Sequence, residues 1–346
     1  MAGKFRVGLT SDHVGSSGAF NPADIGLDLL AGRADIEWEF MRGDSAVLTP
    51  DDVRDYDALA VFGRRVSSGT FEGADRPTLV ARFGVGYDTV DVPACTERGV
   101  ALTITPDGVR RPMASSYVAF ILALGHKLMW MDRITRESRW DERYVEPGVG
   151  LQGRVLGLVG MGNIGREVFK LIRPFEMRHI AYDPYAREED AAALGVELVD
   201  LDTLMSTADF VCVCCMLNDE TYRLINADRL ALMKKSAFLV NAARGPIVDQ
   251  EALTVALRER RIKGAAIDAF EKEPTDPDDP ILSLDNVILT PHAMGMTDQC
   301  FQGIGRSAFA SVLEIAAGRV PANIVNREVV NHPGFQEKLR AYAARS

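Results

Sequence analysis

The chain predicts an α/β protein built from two doubly wound parallel sheets, and three observations carry that expectation. Short apolar runs alternate with amphipathic stretches in two separate series, a long helical pattern divides the series, and a glycine-rich loop directly follows the first strand of the second series. With 346 residues, 47% of them hydrophobic, the chain has material for two ordinary domains.

In chain order, the first series places apolar runs at 5–9, 36–40, 58–62, 79–82 and 100–104, with helical stretches such as 22–30 and 92–98 between them. Parallel neighbours need a crossover, and helices of this length supply it. A helical pattern then extends from about Met113 to Arg133. Its most apolar part, 118–131, is interrupted by Gly125, His126 and Lys127, so it is too short and too polar to span a bilayer. After a polar, irregular stretch at 137–150, the second series runs through 155–159, 179–182, 210–214, 237–241, 265–268 and 287–290. Helical periodicity returns beyond Met294. The last segment, 332–346, carries Phe335, Leu339 and Tyr342 at helical spacing, fit either to cap its own domain or to reach a partner.

Charge and cysteine usage exclude several classes of function. Asp and Glu outnumber Lys and Arg by 49 to 39, for a net charge of -10, and an acidic protein without a basic tail is a poor partner for nucleic acid. The N-terminal apolar run lacks the h-region and cleavage site of a signal peptide, so no membrane partner and a cytoplasmic location are expected. Of the five cysteines, Cys212, Cys214 and Cys215 lie together in one β-type run and read as small core hydrophobes. No metal site is expected from them, and a reducing compartment suits them.

The loop Gly160-Met-Gly162-Asn-Ile-Gly165 follows the run 155–159 and opens a helix with Val168, Leu171, Ile172 and Phe175 on one face. The first glycine permits a tight turn, the second lets backbone approach a pyrophosphate, and the third lets helix and strand pack closely. The helix N-terminus adds its amides and positive dipole end. Asp183 stands about 20 residues beyond the loop, at the end of the next β-type run, where a carboxylate accepts the adenosine ribose hydroxyls and repels a 2′-phosphate. The expected cofactor is therefore NAD rather than NADP.

Ligands of an open parallel sheet sit beyond the carboxyl ends of its strands. Three residues occupy that position: Arg244 after 237–241, Glu273 after 265–268 and His292 after 287–290. Chemistry at C2 of a 2-hydroxy acid needs a cation for the carboxylate and a group that exchanges a proton with the hydroxyl. Arg244 supplies the planar fork. His292 is the natural acid/base near neutral pH, and Glu273 paired with it favours the imidazolium and fixes the ring.

Together these motifs resemble the D-isomer-specific 2-hydroxyacid dehydrogenases from about Asp57 to Asn326. The resemblance rests on Arg82-Phe-Gly-Val-Gly-Tyr-Asp-Thr-Val-Asp91, the loop Gly160 to Gly165, Val240-Asn-Ala-Ala-Arg-Gly-Pro-Ile-Val-Asp249, Gly264-Ala-Ala-Ile-Asp268 with Glu273-Pro274, and Thr290-Pro-His292. It implies a Rossmann NAD-binding domain over 107–293, with a dimerisation helix and arm near 113–150. It also implies a smaller flavodoxin-like substrate domain, made from 1–106 and 294–346, which hinges closed over the cleft. Arg244 is then the substrate-binding cation, Glu273 and His292 the acid/base dyad, and Val85 and Gly86 amide donors to the substrate carboxylate. Gly160, Gly162, Asn163, Ile164, Gly165, Asp183, Cys215, Ala242 and Asp268 line the NAD site, with Asp268 on the nicotinamide amide. A homodimer acting on a small 2-hydroxy or 2-oxo acid is implied.

Two positions depart from the family pattern. Met113-Ala-Ser115 stands where a glutamate is usual, and Met216 where a proline is usual. Arg64-Arg65 and Arg110-Arg111, expected in loops facing the cleft, suggest a substrate with a second anionic group. A different class of function on the same fold is an NAD(H)-sensing, corepressor-like module that binds other proteins, and it is distinguished by negligible turnover.

Overall fold

The computed structural model describes residues 3–13, 25–43 and 45–345. The chain divides into two units, one formed by Met1–Val109 with Thr297–Ser346 and the other by Arg110–Met296.

The first unit holds β1 (Phe5–Leu9), β2 (Ile36–Phe40), β3 (Ala58–Val61), β4 (Leu79–Arg82) and β5 (Ala101–Thr103). They form one parallel sheet in the order β2-β1-β3-β4-β5, which is the flavodoxin-like order. Its helices are α1 (Pro50–Val53), α2 (Val92–Glu97), the start of α3 (Pro106–Gly125), α10 (Asp298–Ala316) and α11 (Pro333–Ala343). Of the helix expected over 22–30, residues 22–24 lie outside the described residues, and the rest holds one 3₁₀ turn at Leu27–Leu29. The C-terminal helix α11 caps its own unit. Phe335, Leu339 and Tyr342 are buried, the Tyr342 ring meets Phe5 edge-on at 5.0 Å, and its hydroxyl donates to Asp57 Oδ1 at 3.0 Å.

The second unit holds β6 (Val155–Val159), β7 (Arg178–Tyr182), β8 (Val196–Leu198), β9 (Phe210–Val213), β10 (Phe238–Asn241), β11 (Gly264–Ile267) and β12 (Val287–Leu289). Their order, β12-β11-β10-β9-β6-β7-β8, is that of a Rossmann sheet extended by one strand, with its switch point between β6 and β9. Both units therefore have the expected doubly wound class. The interior strands read as continuous apolar runs because both faces are covered. Val155, Val159, Val211, Val213 and Leu239 point into one core, while Leu156, Leu158, Phe210, Cys212 and Val240 point into the other. Each such side chain contributes about 1.5–3 kcal/mol by leaving water.

Around the sheet lie the rest of α3, α4 (Leu128–Arg136), α5 (Asn163–Ile172), α6 (Glu188–Ala193), α7 (Leu201–Thr207), α8 (Ala227–Leu232) and α9 (Gln250–Arg258). The single helix expected over 113–133 is two helices. Gly125 ends the first because the chain at 148–149 crosses it: the Val149 amide donates to Gly125 O at 2.7 Å, and a Cβ on Gly125 would stand 2.9 Å from Val149 O. Lys127 then takes a left-handed φ of 55° before α4 begins. No helix among the described residues is long and apolar enough to cross a membrane.

Candidate active site

Six groups of residues lie just past the carboxyl ends of strands in the second unit. The first is the glycine loop after β6. Gly160 has φ 100°, and a Cβ there would stand 2.7 Å from the Cys215 amide, so the loop and the end of β9 touch backbone to backbone. A Cβ on Gly165 would stand 2.5 Å from Gly160 O, which is the close helix–loop contact expected of the third glycine. Gly162 is different, because nothing lies within 4 Å of where its Cβ would be. That open space, at the N-cap of α5 and its outward-pointing amides, fits the pyrophosphate of a dinucleotide. Ile164 packs against the core beneath, and Asn163 begins the helix.

Asp183 opens the turn after β7, half-buried. Its Oδ2 accepts from the Met161 amide at 2.8 Å and its Oδ1 from the Tyr185 amide at 2.9 Å. Each oxygen keeps a lone pair, enough for a ribose diol. Cys215 is half-buried, and burial, reinforced by the Asp183 charge, pushes its thiol up to about 12, so it is neutral. Ala242 is buried at 5% exposure.

Arg244 is placed by Asn241, the buried last residue of β10. Asn241 Oδ1 accepts from the Ala243 amide at 3.1 Å and its Nδ2 donates to Arg244 O at 3.0 Å, which closes the turn. The next residue must be glycine, since a Cβ on Gly245 would stand 1.9 Å from both the carbon and the oxygen of the Phe270 carbonyl. This contact brings the Arg244 turn against the 270–273 loop. There Glu273 Oε1 accepts from the Phe270 amide at 2.8 Å, and Oε2 lies 2.8 Å from His292 Nδ1. Burial raises the Glu273 carboxyl, but the His292 hydrogen bond, the Phe270 amide and the charges of His292 and Arg244 together outweigh it and hold the group below the ordinary glutamate value.

His292 has a left-handed φ of 51°. Asp268, at 1% exposure just past β11, organises that turn: Oδ1 accepts from Thr290 Oγ1 at 2.6 Å and from the amides of Ala293 at 3.0 Å and Met294 at 3.2 Å. From α3, Ser116 Oγ donates to Met294 O at 2.9 Å, and Met113 fills the space that glycine leaves at 295. With Nδ1 on the carboxylate, Nε2 is the ring nitrogen left for proton exchange.

In the first unit, Val85 and Gly86 lie in the loop after β4, where Gly84 takes φ 123° and is bonded through its amide to Thr105 Oγ1 at 2.8 Å. The Val85 and Gly86 amides have no hydrogen-bond partner among the described residues.

Three of the four paired arginines do not stand as expected, while Arg65 is exposed in the loop after β3. Arg64 is 5% exposed and bound to Ser45 O at 2.7 Å, Ser45 Oγ at 2.6 Å and Asp52 at 3.2 Å, so it is a fixed structural cation. Arg110 and Arg111 lie within α3 rather than in a loop, and Arg111 pairs with Glu167 at 2.8 Å. Asn241, Thr290 and Ser116, which hold the reacting groups in place, were not singled out from the sequence. Asn241 and Thr290 lie inside the quoted motifs, whereas Ser116 carries no local signal. No group of three or more His, Cys, Asp or Glu among the described residues is placed to hold a metal.

Comparison with known proteins identifies the family. Residues 118–294 match the family described as D-isomer specific 2-hydroxyacid dehydrogenase, NAD binding domain. The chain is 39% identical over 290 residues to a glyoxylate reductase of Korarchaeum cryptofilum, covering 82% of this chain and 87% of that protein. It is 37% identical to a D-3-phosphoglycerate dehydrogenase of Methanocaldococcus jannaschii, covering 83% of this chain but only 54% of that protein. Its fold superposes with a TM-score of 0.79 on the crystal structure of an NADPH-dependent glyoxylate/hydroxypyruvate reductase from Sinorhizobium meliloti, 28% identical, over 94% of this chain and 99% of the other.

Proposed function

This chain belongs to the D-isomer-specific 2-hydroxyacid dehydrogenases and is an NAD-dependent oxidoreductase of that family, and we propose that it reduces glyoxylate or a similarly small 2-oxo acid at C2 through Arg244, Glu273 and His292. The observation that carries the residue assignment is the 2.8 Å contact between His292 Nδ1 and Glu273 Oε2, with the charge of Arg244 acting on the same carboxylate.

NADH, which the glycine loop and Asp183 would hold, would supply the hydride for C2. Arg244 holds the substrate carboxylate with its fork and draws electron density toward the carbonyl oxygen. His292 delivers the proton from Nε2 to that oxygen as it becomes a hydroxyl, and takes it back in the oxidation direction. Glu273 stays ionised and fixes the ring through Nδ1. In the first unit, we assign the Val85 and Gly86 amides to the substrate carboxylate, which makes that unit the substrate domain. In the second, Gly160, Gly162, Asn163, Ile164, Gly165, Asp183, Cys215, Ala242 and Asp268 are assigned to the cofactor.

A homodimer is part of the same reading. Leu128 and Met129 on α4, then Trp140, Tyr144 and Val145, are exposed by 57%, 56%, 59%, 81% and 76%, an apolar run that a second copy would cover. Cytoplasmic residence belongs with it, since a reducing compartment suits cysteines that are all unpaired with one another. The decisive experiment is NADH oxidation over a panel of 2-oxo acids, with the reverse reaction on both enantiomers of each 2-hydroxy acid. Turnover with glyoxylate and with D-isomers alone is expected. Tight NADH binding with no turnover on any acid would overturn the catalytic reading in favour of a sensing module.

A further inference from the structure

Strand β6 lies between β9 and β7, so the loops leaving β9 and β7 flank the glycine loop on its two sides. Loops so placed around the switch point receive the adenosine half of a dinucleotide. In this chain the two loops are tied together. The Tyr185 hydroxyl, two residues past Asp183, donates to Glu220 Oε2 at 2.7 Å.

Each partner is positioned by its own turn. The Tyr185 amide donates to Asp183 Oδ1 at 2.9 Å, so the tyrosine and the ribose-binding carboxylate move as one. Across from it, the Glu220 amide donates to Asn218 Oδ1 at 3.1 Å, and Thr221 Oγ1 donates to Met216 O at 2.6 Å. Both loops also show large apolar side chains to solvent, with Tyr185 exposed by 76% and Met216 by 56%, surfaces that a flat base would cover. The arginines of this region are engaged: Asp190 holds Arg166 at 3.1 Å and Arg187 at 2.8 Å.

We propose that Tyr185 and Glu220 form a strap at the adenosine end of the site, and that the Glu220 carboxylate held there is a second determinant, beside Asp183, of preference for a dinucleotide with a free ribose 2′-hydroxyl over one with a 2′-phosphate. The inference rests on the dinucleotide reading of the glycine loop. A 2′-phosphate brings close to two negative charges toward two fixed carboxylates, and the nearby Arg166 and Arg187 are both turned onto Asp190. Tyr185 has a separate part: it holds the β7 and β9 loops at a fixed separation and offers its ring to the base.

The test is equilibrium binding of NADH and NADPH, read by calorimetry and by energy transfer from protein tryptophan to the nicotinamide, with no turnover required. Glu220→Gln keeps an acceptor for the Tyr185 hydroxyl and removes the charge. It is expected to tighten NADPH about 5- to 20-fold at low salt while NADH changes by less than about two-fold, and added salt should shrink the difference. Tyr185→Phe removes the strap and keeps the charge, and NADH should weaken by about three- to ten-fold. Both sites are exposed, so melting temperatures should match the parent. An unchanged NADPH-to-NADH ratio in Glu220→Gln would overturn the selectivity role, and unchanged NADH affinity in Tyr185→Phe would overturn the strap. If the unaltered chain binds neither dinucleotide, the cofactor reading itself fails, and the strap with it.

Discussion

A histidine at φ 51° is held against its own preference, since a left-handed L-residue gives up about 1–2 kcal/mol. The compensation is visible in the three donors that Asp268 gathers from the same turn. Replacing His292 by alanine keeps that scaffold and removes only the ring. The expected outcome is a kcat lower by roughly 10²–10⁴-fold with NADH affinity nearly unchanged, checked by steady-state kinetics beside fluorescence titration. Survival of turnover would assign the proton to another group. Glu273 makes a pH-dependent prediction. Its carboxyl titrates below the usual value in the folded protein, so its contribution to stability is complete above the ordinary glutamate range and is lost as pH falls through the folded value. Across neutral pH it is therefore ionised. In Glu273→Gln that titration is gone, so the acid limb of 2-oxo acid reduction that follows the carboxyl should disappear, read from kcat/KM against pH. An acid limb that stays in place would assign it to another group.

At the scale of elements, the Arg244 turn and the Glu273 loop meet through a glycine with backbone on both sides. A methyl group on Gly245 would stand 1.9 Å from the Phe270 carbonyl, and neither partner is the far end of a flexible side chain. Gly245→Ala is expected to destabilise the second unit by about 1–3 kcal/mol and to raise KM for the 2-oxo acid as Arg244 shifts. Calorimetric melting and kinetics check it, and an unchanged melting temperature would mean the loops separate freely. The same elements show what a sequence can and cannot say. The strands of the second sheet were legible because burial on both faces demands runs such as 155–159 and 210–214. Edge strand β8 was not, because three residues with only Val196 buried leave no periodicity to read. The break between α3 and α4 was hidden for another reason: what stops the helix at Gly125 is Val149, brought there by folding. Arg244, Glu273 and His292 were legible as polar residues just past strand ends. Ser116 was not, since its partner Met294 is far along the chain and the bond goes to backbone. Arg64 misled because exposed loop arginines are the common case, and only the structure shows Ser45 and Asp52 around it.

For the molecule as a whole, the two units differ in how they are strung. The second is one continuous segment with cores on both faces of its sheet. The first is interrupted by it and is completed from the C-terminus: Asn326 Oδ1 accepts from the Leu102 amide at 2.8 Å, Asn326 Nδ2 donates to Val100 O at 3.0 Å, and Lys338 Nζ donates to Pro77 O at 2.9 Å. Beneath α11, Asp57 is 3% exposed and bonded to the Arg6 amide at 2.7 Å, to Arg76 at 2.7 Å and to Tyr342 at 3.0 Å. Deleting residues 333–346 removes Phe335, Leu339 and Tyr342 from the core at once, a loss of roughly 5–9 kcal/mol at the usual 1.5–3 per buried side chain. That is comparable with the whole stability of a domain, about 5–15 kcal/mol. The truncated protein should therefore lose order in its first unit and all turnover, while the continuous second unit still binds NADH. Limited proteolysis mapped by mass spectrometry, run beside NADH fluorescence titration, separates the outcomes. Cleavage confined to 1–109 and 297–332 with binding intact is expected, whereas loss of NADH binding together with cleavage throughout would show that the second unit depends on the first for its own fold.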